Sequence, residues 1–325
     1  MLNIDDFQND AFKDLQILVI GDAMIDRYYY GQVERMSPEA DVPIVDVNQV
    51  DNRLGGAANV ALNIAKLGAK AHLITITGED EERNLFSELL EKEGIHHSLL
   101  EAPRRTTIKT RVYNDNEYVM RFDIEDTHDV GEEVQNELLA NIKSACESIP
   151  FDAIILQDYN KGVLTSKSIQ SILFCARKNN ILVAVDPKEK NFFEYQEVDL
   201  FKPNLKELNI AFNKSVKVED QTGLKSLCTE LRSRLACKNI LLTLAQDGAV
   251  ALSNDEYLKV EAHERRVVDV SGAGDTVIAM ASLLLALKFP IRKILFYSNL
   301  AGGLVIEERG VRALDLKIWE SNLGI

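Results

Sequence analysis

The chain has 325 residues, 46% of them hydrophobic and 27% charged, proportions that suit a soluble globular protein built as one large domain or a domain with an appendage. A formal charge of −14 without any Lys/Arg-rich run excludes an electrostatic nucleic-acid footprint, so an anionic ligand must be held by a few local cations. Residues 1–14 are polar and acidic, the apolar run 277–287 is too short for a bilayer, and Cys146, Cys175, Cys228 and Cys237 are too scattered for a zinc motif or a disulfide framework; a cytoplasmic protein with reduced thiols and no membrane partner is expected.

In chain order, short apolar runs alternate with amphipathic stretches. Residues 17–20 predict a strand, 57–67 a helix, 71–77 a strand and 81–92 a helix; 153–156, 166–178 and 181–185 continue as strand, helix and strand. A strand-to-helix passage opens at Phe201, 224–236 is helix-like, 240–243, 249–252 and 257–260 read as strands, and two helices start at Gly274 and Ile291. This is the βαβ rhythm of a mostly parallel sheet covered by helices, an α/β fold. Residues 42–50, and the pair 106–113 and 118–123 joined by the turn Asn114-Asp115-Asn116, show strand periodicity without intervening helices. They predict a small β-layer standing off the main body as a lid over a site at the strand ends.

Three motifs bear on chemistry. Ser271-Gly272-Ala273-Gly274-Asp275-Thr276 leads straight into an apolar helix. Small residues let backbone N–H groups approach a phosphate, the helix start adds partial positive charge, and Asp275 stands where it can remove a proton; a simple helix cap is the competing reading. Neither a GxGxxG dinucleotide fingerprint nor a Walker A string is present. The second motif, Gly55-Gly56-Ala57-Ala58-Asn59, also runs into a helix: paired glycines admit a polyol and Asn59 offers donor and acceptor, or the glycines serve tight packing. Upstream, Asp22 and Asp26 are expected at the end of the first strand, placed for sugar hydroxyls or for capping the next turn. In the third, Lys202-Pro203-Asn204-Leu205-Lys206-Glu207, the three-residue spacing of Asn204 and Glu207 fits either water-mediated Mg²⁺ binding beside nucleotide phosphates or a capping box.

The two glycine motifs, in this order and separation, resemble the signatures of the PfkB, or ribokinase-like, carbohydrate kinases, and the likeness covers nearly the whole chain. The string 21–31, with Arg35-Met36-Ser37-Pro38-Glu39-Ala40, Thr106-Thr107-Ile108-Lys109-Thr110-Arg111, Arg121-Phe122-Asp123, Asp158-Tyr159-Asn160-Lys161-Gly162 and Asp186-Pro187-Lys188, is similar to one subgroup, the D-glycero-β-D-manno-heptose-7-phosphate kinases. A small departure is Ser271, where the family often has threonine; the hydroxyl is kept. The resemblance implies a ribokinase-like fold over residues 1–325 as one kinase domain, with lid insertions at about 28–50 and 104–124.

It further implies ATP as donor with Mg²⁺ and phosphorylation of the sugar's C1 hydroxyl to a 1,7-bisphosphate, a step toward ADP-heptose and lipopolysaccharide core. Asp275 matches the base, expected to stay ionised at neutral pH, with Gly272, Ala273 and Gly274 as anion hole. Asp22, Gly55, Gly56 and Asn59 match sugar-binding positions, joined by Asp26; Lys109, Arg111, Arg121, Lys161 and Lys188 are candidates for the sugar phosphate. Around the nucleotide stand Asn204, Thr243, Gly248, Gly272, Gly274 and Asn299, with Asn204 and Glu207 toward Mg²⁺. Many relatives carry a fused adenylyltransferase domain with a His-x-Gly-His motif; nothing here resembles it, and kinase activity alone is expected, in a homodimer formed through the β-lid. Other PfkB substrates (fructose phosphate, ribose, a nucleoside) and a non-catalytic sugar-phosphate sensor are the alternatives.

Overall fold

The computed structural model describes residues 11–115, 117–254, 256–263 and 265–323; most of the acidic start and Asn116 of the expected turn lie outside them. Strand β1 (Gln16–Gly21) is the axis of the molecule. It pairs in parallel with β4 (Lys70–Gly78) on one side and β8 (Ala153–Gln157) on the other. Outward follow β5 (His96–Ala102) beyond β4 and, beyond β8, the parallel strands β9 (Leu182–Asp186), β10 (Leu200–Phe201) and β11 (Asn239–Thr243). The hairpin β12 (Ala249–Ser253) and β13 (Glu256–Val260) closes the sheet antiparallel.

Alternation along β1 explains the layering. Ile17 and Val19 point into one core, packed by α1 (Ala57–Lys66), α7 (Ala273–Ala286), α8 (Ile291–Val305) and α9 (Leu316–Leu323). Leu18 and Ile20 point into the other, packed by α3 (Glu132–Ser148), α4 (Ser166–Lys178) and α6 (Gln221–Leu235). A strand buried on both faces has no polar side to show, which is why its sequence reads as an unbroken apolar run. Among the described residues no helix is long and apolar enough to cross a membrane, and all four cysteines are free thiols.

A second, four-stranded sheet has the order β3 (Pro43–Gly56), β2 (Ala23–Met36), β6 (Ile108–Asn114), β7 (Glu117–Ile124). It contains the expected helix-free segments and one long strand, β2, that was not expected, because residues 22–26 read as the end of the first strand; the run Arg27-Tyr28-Tyr29-Tyr30 has no apolar–polar alternation to mark it. Only Asp22 separates β1 from β2, and β3 passes directly into α1, so this sheet is rooted where the main sheet's strands end. The elements β5, α3 and α9 were not foreseen either. In α3 the buried stripe is just Gln135, Leu138, Ile142 and Cys146 on a polar helix, too narrow for a clear apolar period.

Candidate active site

The carboxyl ends of the parallel strands converge on one buried polar cluster. Gly21 ends β1 and Asp22 follows it, Gln157 ends β8, Asp186 ends β9 and Lys202 follows β10. Over them stands the first turn of α7. Its N-cap is Gly272, at φ 82°, and no side chain caps the helix. The glycine motif thus carries no side-chain cap; Ala273 N donates to the Val270 carbonyl at 3.3 Å, and the N–H groups of Gly274 and Asp275 remain for an anion. A Cβ placed on Gly274 would meet nothing closer than Lys202 Nζ at 3.7 Å and Asp186 Oδ2 at 4.0 Å, so the space over this turn is open and bordered by a cation.

Asp275, on that turn, is 4% exposed. Its Oδ1 accepts from the Tyr159 hydroxyl at 2.8 Å and the Gln157 amide at 3.3 Å; its Oδ2 accepts from Asn59 Nδ2 at 2.7 Å. Burial, helped by the nearby Asp186, pushes its pKa up to about 6, against the pull of Asn59, Tyr159 and Lys202. Desolvation outweighs the hydrogen bonds that favour the charged form. With a pKa near 6 it is still roughly nine-tenths ionised at pH 7.

Several expected sugar contacts are engaged by the protein itself. Asp22 accepts backbone N–H bonds from Tyr159 and Lys161 on Oδ2 and Val163 on Oδ1, holding the loop after β8 over the site. Burial beside Asp158 pushes its pKa up to about 6. The glycine pair is closely packed: a Cβ on Gly55 would lie 2.2 Å from Asp26 Oδ2, and one on Gly56, at φ 57°, 2.5 Å from the Asp22 carbonyl. Asn59, fully buried, donates to Asp275. Asp26 lies inside β2, not at the end of β1, and is ion-paired with Arg111.

Strand register lays out the cations. Asp26, Lys109 and Asp123 form one cross-strand row of the small sheet, and Tyr28, Arg111 and Arg121 the next, on the same face. This face looks at the main body: the Tyr28 hydroxyl accepts from Val311 N, and Lys109 Nζ lies 5.1 Å from the Tyr159 ring centroid. Lys188 stands over the same ring at 5.6 Å while paired with Glu207. Lys161 pairs with Glu125 at 2.7 Å and Arg121 with Asp123 at 2.6 Å. Lys109 has no ion pair among the described residues; burial, with Arg121 and Lys161 nearby, lowers its pKa against the attraction of Asp26 and Asp123.

Asn204 and Glu207 form a complete capping box on α5 (Leu205–Phe212): Glu207 N donates to Asn204 Oδ1 and Asn204 N to Glu207 Oε2, each at 2.9 Å. Glu207 Oε1 takes Lys188. The capping box is thus present, and each of these oxygens accepts one bond and keeps a second acceptor direction, so the cap and a water-mediated contact to magnesium are compatible. Among the described residues no three His, Cys, Asp or Glu side chains form a metal cluster. Thr243 ends β11 and bridges to Asn204. Gly248, at φ 87°, packs against the carbonyl of Val260, and Asn299 Nδ2 donates to the carbonyl of Glu261 at 2.9 Å, so both border the 260–262 segment.

Lys202, Asp186, Gln157 and Tyr159 were missed as separate functional side chains. Lys202 is 3% exposed, and its ammonium sits 3.0 Å from Asp186; Gln157 bridges Asp186 and Asp275. Their signals were a position just past a predicted strand and, for Tyr159, Asp186 and Lys202, membership of sequence strings in which no separate role singled them out.

A buried, ionisable carboxylate on an uncapped helix start, with a lysine bordering the open space, at the carboxyl ends of a parallel sheet, equips a phosphotransferase that acts on a hydroxyl. The model of the pfkB family of carbohydrate kinases matches residues 14–318, and the chain belongs to that family. Among curated relatives, "Bifunctional protein HldE" of Syntrophotalea carbinolica is 34% identical over 97% of this chain and 64% of its own length. The protein of the same name from Aliarcobacter butzleri is 36% identical over 95% of this chain and 64% of its own length. The chain thus spans about 64% of the length of these relatives. Phosphofructokinase-2 from Escherichia coli superposes with a TM-score of 0.79 at 18% identity, covering 95% of this chain and 98% of that one. Ribokinase from Giardia lamblia gives 0.75 at 15%, covering 95% and 99%. At these identities the likeness is one of fold, and the fold is ribokinase-like.

Proposed function

We propose that this kinase transfers the γ-phosphoryl group of ATP to the C1 hydroxyl of D-glycero-β-D-manno-heptose 7-phosphate, giving the 1,7-bisphosphate and ADP, a step toward ADP-heptose and lipopolysaccharide core. The observation that carries the transfer is the Asp275–α7 arrangement with Lys202 beside it. The heptose is supported by the sequence strings around the site and by relatives at 34–37% identity that bear the HldE name. Asp275 accepts the hydroxyl proton as the sugar oxygen attacks the γ-phosphorus and the bond to the ADP oxygen breaks. The first-turn N–H groups of α7 and the Lys202 ammonium face the charge on the phosphoryl oxygens. A positioned base contributes about 10²–10⁴-fold. Magnesium bound with the nucleotide phosphates would neutralise part of their charge, with Asn204 and Glu207, on the strand-to-helix turn, as the residues toward it through water. The nucleotide base lies toward Thr243, Gly248 and Asn299.

The small sheet acts as a lid of one kinase unit, its charged face turned to the sugar phosphate, with Lys109 as the phosphate's first cation because no carboxylate claims it. The opposite face carries exposed Val50, Met120 and Phe122 and supports a homodimer formed lid to lid. A cytoplasmic location follows from the ATP requirement. The test is an ATP-dependent assay over heptose 7-phosphate, fructose phosphates, ribose and a nucleoside, with the product phosphate located by NMR. Turnover restricted to a fructose phosphate, ribose or a nucleoside would replace the heptose reading, and saturable binding without ATP consumption would make the protein a sensor.

A further inference from the structure

Asp275 has more hydrogen bonds than a base needs, and their distribution between its two oxygens is uneven. A carboxylate offers two acceptor directions on each oxygen. Oδ1 uses both, on the Tyr159 hydroxyl at 2.8 Å and the Gln157 amide at 3.3 Å. Oδ2 uses one, on Asn59 at 2.7 Å. The donors are forced to point this way. A tyrosine hydroxyl buried beside Asp275, with burial and the neighbouring carboxylates Asp275 and Asp186 raising its pKa far above the usual value, keeps its proton and can only donate. Gln157 lies between the carboxylates of Asp186 and Asp275, so its NH₂ faces them and its oxygen faces away, where it has no partner among the described residues.

We propose that Tyr159 is the positioning residue of Asp275: with Gln157 it fills Oδ1, fixes the plane of the carboxylate, and leaves Oδ2 as the oxygen that takes the substrate's proton. The inference rests on the reading of Asp275 as base and adds which oxygen acts and what aims it. Tyr159 is suited to the task because its ring meets ammonium groups from both parts of the molecule, Lys109 of the small sheet at 5.1 Å from the centroid and Lys188 of the main body at 5.6 Å. The hydroxyl therefore stands in a fixed place relative to both halves of the cleft.

The other groups facing Asp275 are Asp186, which raises its pKa, and Lys202 and Asn59, which lower it. Loss of the Tyr159 bond removes one that favours the charged form. In Tyr159→Phe the ring and its two lysines stay, and only the donor goes. The experiment is a ¹³C NMR titration of the Asp275 carboxyl in the full chain without ligand, the signal assigned by its disappearance in Asp275→Asn. The expected midpoint is near 6 in the unaltered protein and about one unit higher in Tyr159→Phe, the value of one lost charge-assisted hydrogen bond. In ATP-dependent turnover of heptose 7-phosphate, the acid limb moves up by the same amount, kcat falls about tenfold and KM changes little.

An unchanged carboxyl midpoint in folded Tyr159→Phe overturns the proposal while leaving the base reading intact. A shifted midpoint together with native turnover in Asp275→Asn keeps the hydrogen bond but defeats the base reading. Should Tyr159→Phe not fold, Gln157→Met removes the other Oδ1 donor and is expected to shift the midpoint in the same direction by less, since its bond is longer; no shift there overturns the oxygen assignment.

Discussion

Gly272 and Gly274 are two residues apart on one helix start, yet alanine at each has opposite consequences for stability. Gly272 sits at φ 82°, where an L side chain costs about 1–2 kcal/mol. Its Cβ would also lie 2.9 Å from Asn59 Nδ2 and 3.2 Å from Val311 Cγ1. The Asn59 amide must give way, and it is the donor to Asp275 Oδ2. Gly272→Ala is therefore expected to lower the melting temperature by roughly 1.5–3 °C, from the strain and the size of the chain. It also lowers kcat at least tenfold through the displaced amide. At Gly274 the backbone is ordinary helix and the Cβ meets only Lys202 Nζ at 3.7 Å and Asp186 Oδ2 at 4.0 Å, so Gly274→Ala fits the ligand-free protein and gains about 0.5–1 kcal/mol of helix preference. The added methyl occupies the space where a phosphoryl group approaches the first turn of α7, so turnover falls while stability rises. Scanning calorimetry paired with steady-state kinetics at saturating ATP reads both. Native turnover in a stable Gly274→Ala protein would refute the claim that phosphate approaches this helix start.

Other outcomes follow from the same geometry. Turnover of the unaltered protein is expected to fall as pH drops through about 6, because the base must be deprotonated and burial holds its pKa there; a flat profile from pH 5 to 8 would contradict it. Glu207→Gln breaks the pair with Lys188 and leaves a charge with less compensation, so the unfolding free energy from urea titration falls by on the order of 3 kcal/mol, while the magnesium concentration for half-maximal activity rises. An unchanged magnesium concentration would leave Glu207 as a capping residue alone. Lys109→Met is expected to raise KM for the sugar phosphate about tenfold or more with KM for ATP unchanged, in a kinetic comparison of the two substrates; equal effects on both would remove Lys109 from the sugar end.

The parallel core was legible because β1, β4, β8 and β9 are apolar runs of strand length separated by helix-period segments, and burial on both faces writes that pattern directly. β2 was not, since three consecutive tyrosines carry no alternation. The site was readable as two ends but not as one cluster. Asn59 and Asp275 each stood out beside glycines, yet their hydrogen bond joins residues 216 apart in sequence and exists only because α1 and α7 start at the same edge of the sheet. Lys202 and Tyr159 sat inside strings that marked resemblance, and nothing local distinguishes a lysine that will be buried from one on a solvated turn. Asn204 and Glu207 illustrate the converse: the spacing suits a cap and a cation alike, and the positions of the N–H groups show the cap while leaving room for the cation.

The central claim is that Asp275 takes the proton from the acceptor hydroxyl. Its most direct test is kcat for Asp275→Asn with ATP and heptose 7-phosphate at pH 7.5, with folding checked by melting temperature. A fall of about 10²–10⁴-fold with both KM values within a few-fold of native is expected. A folded Asp275→Asn protein that turns over at near-native rate would contradict it.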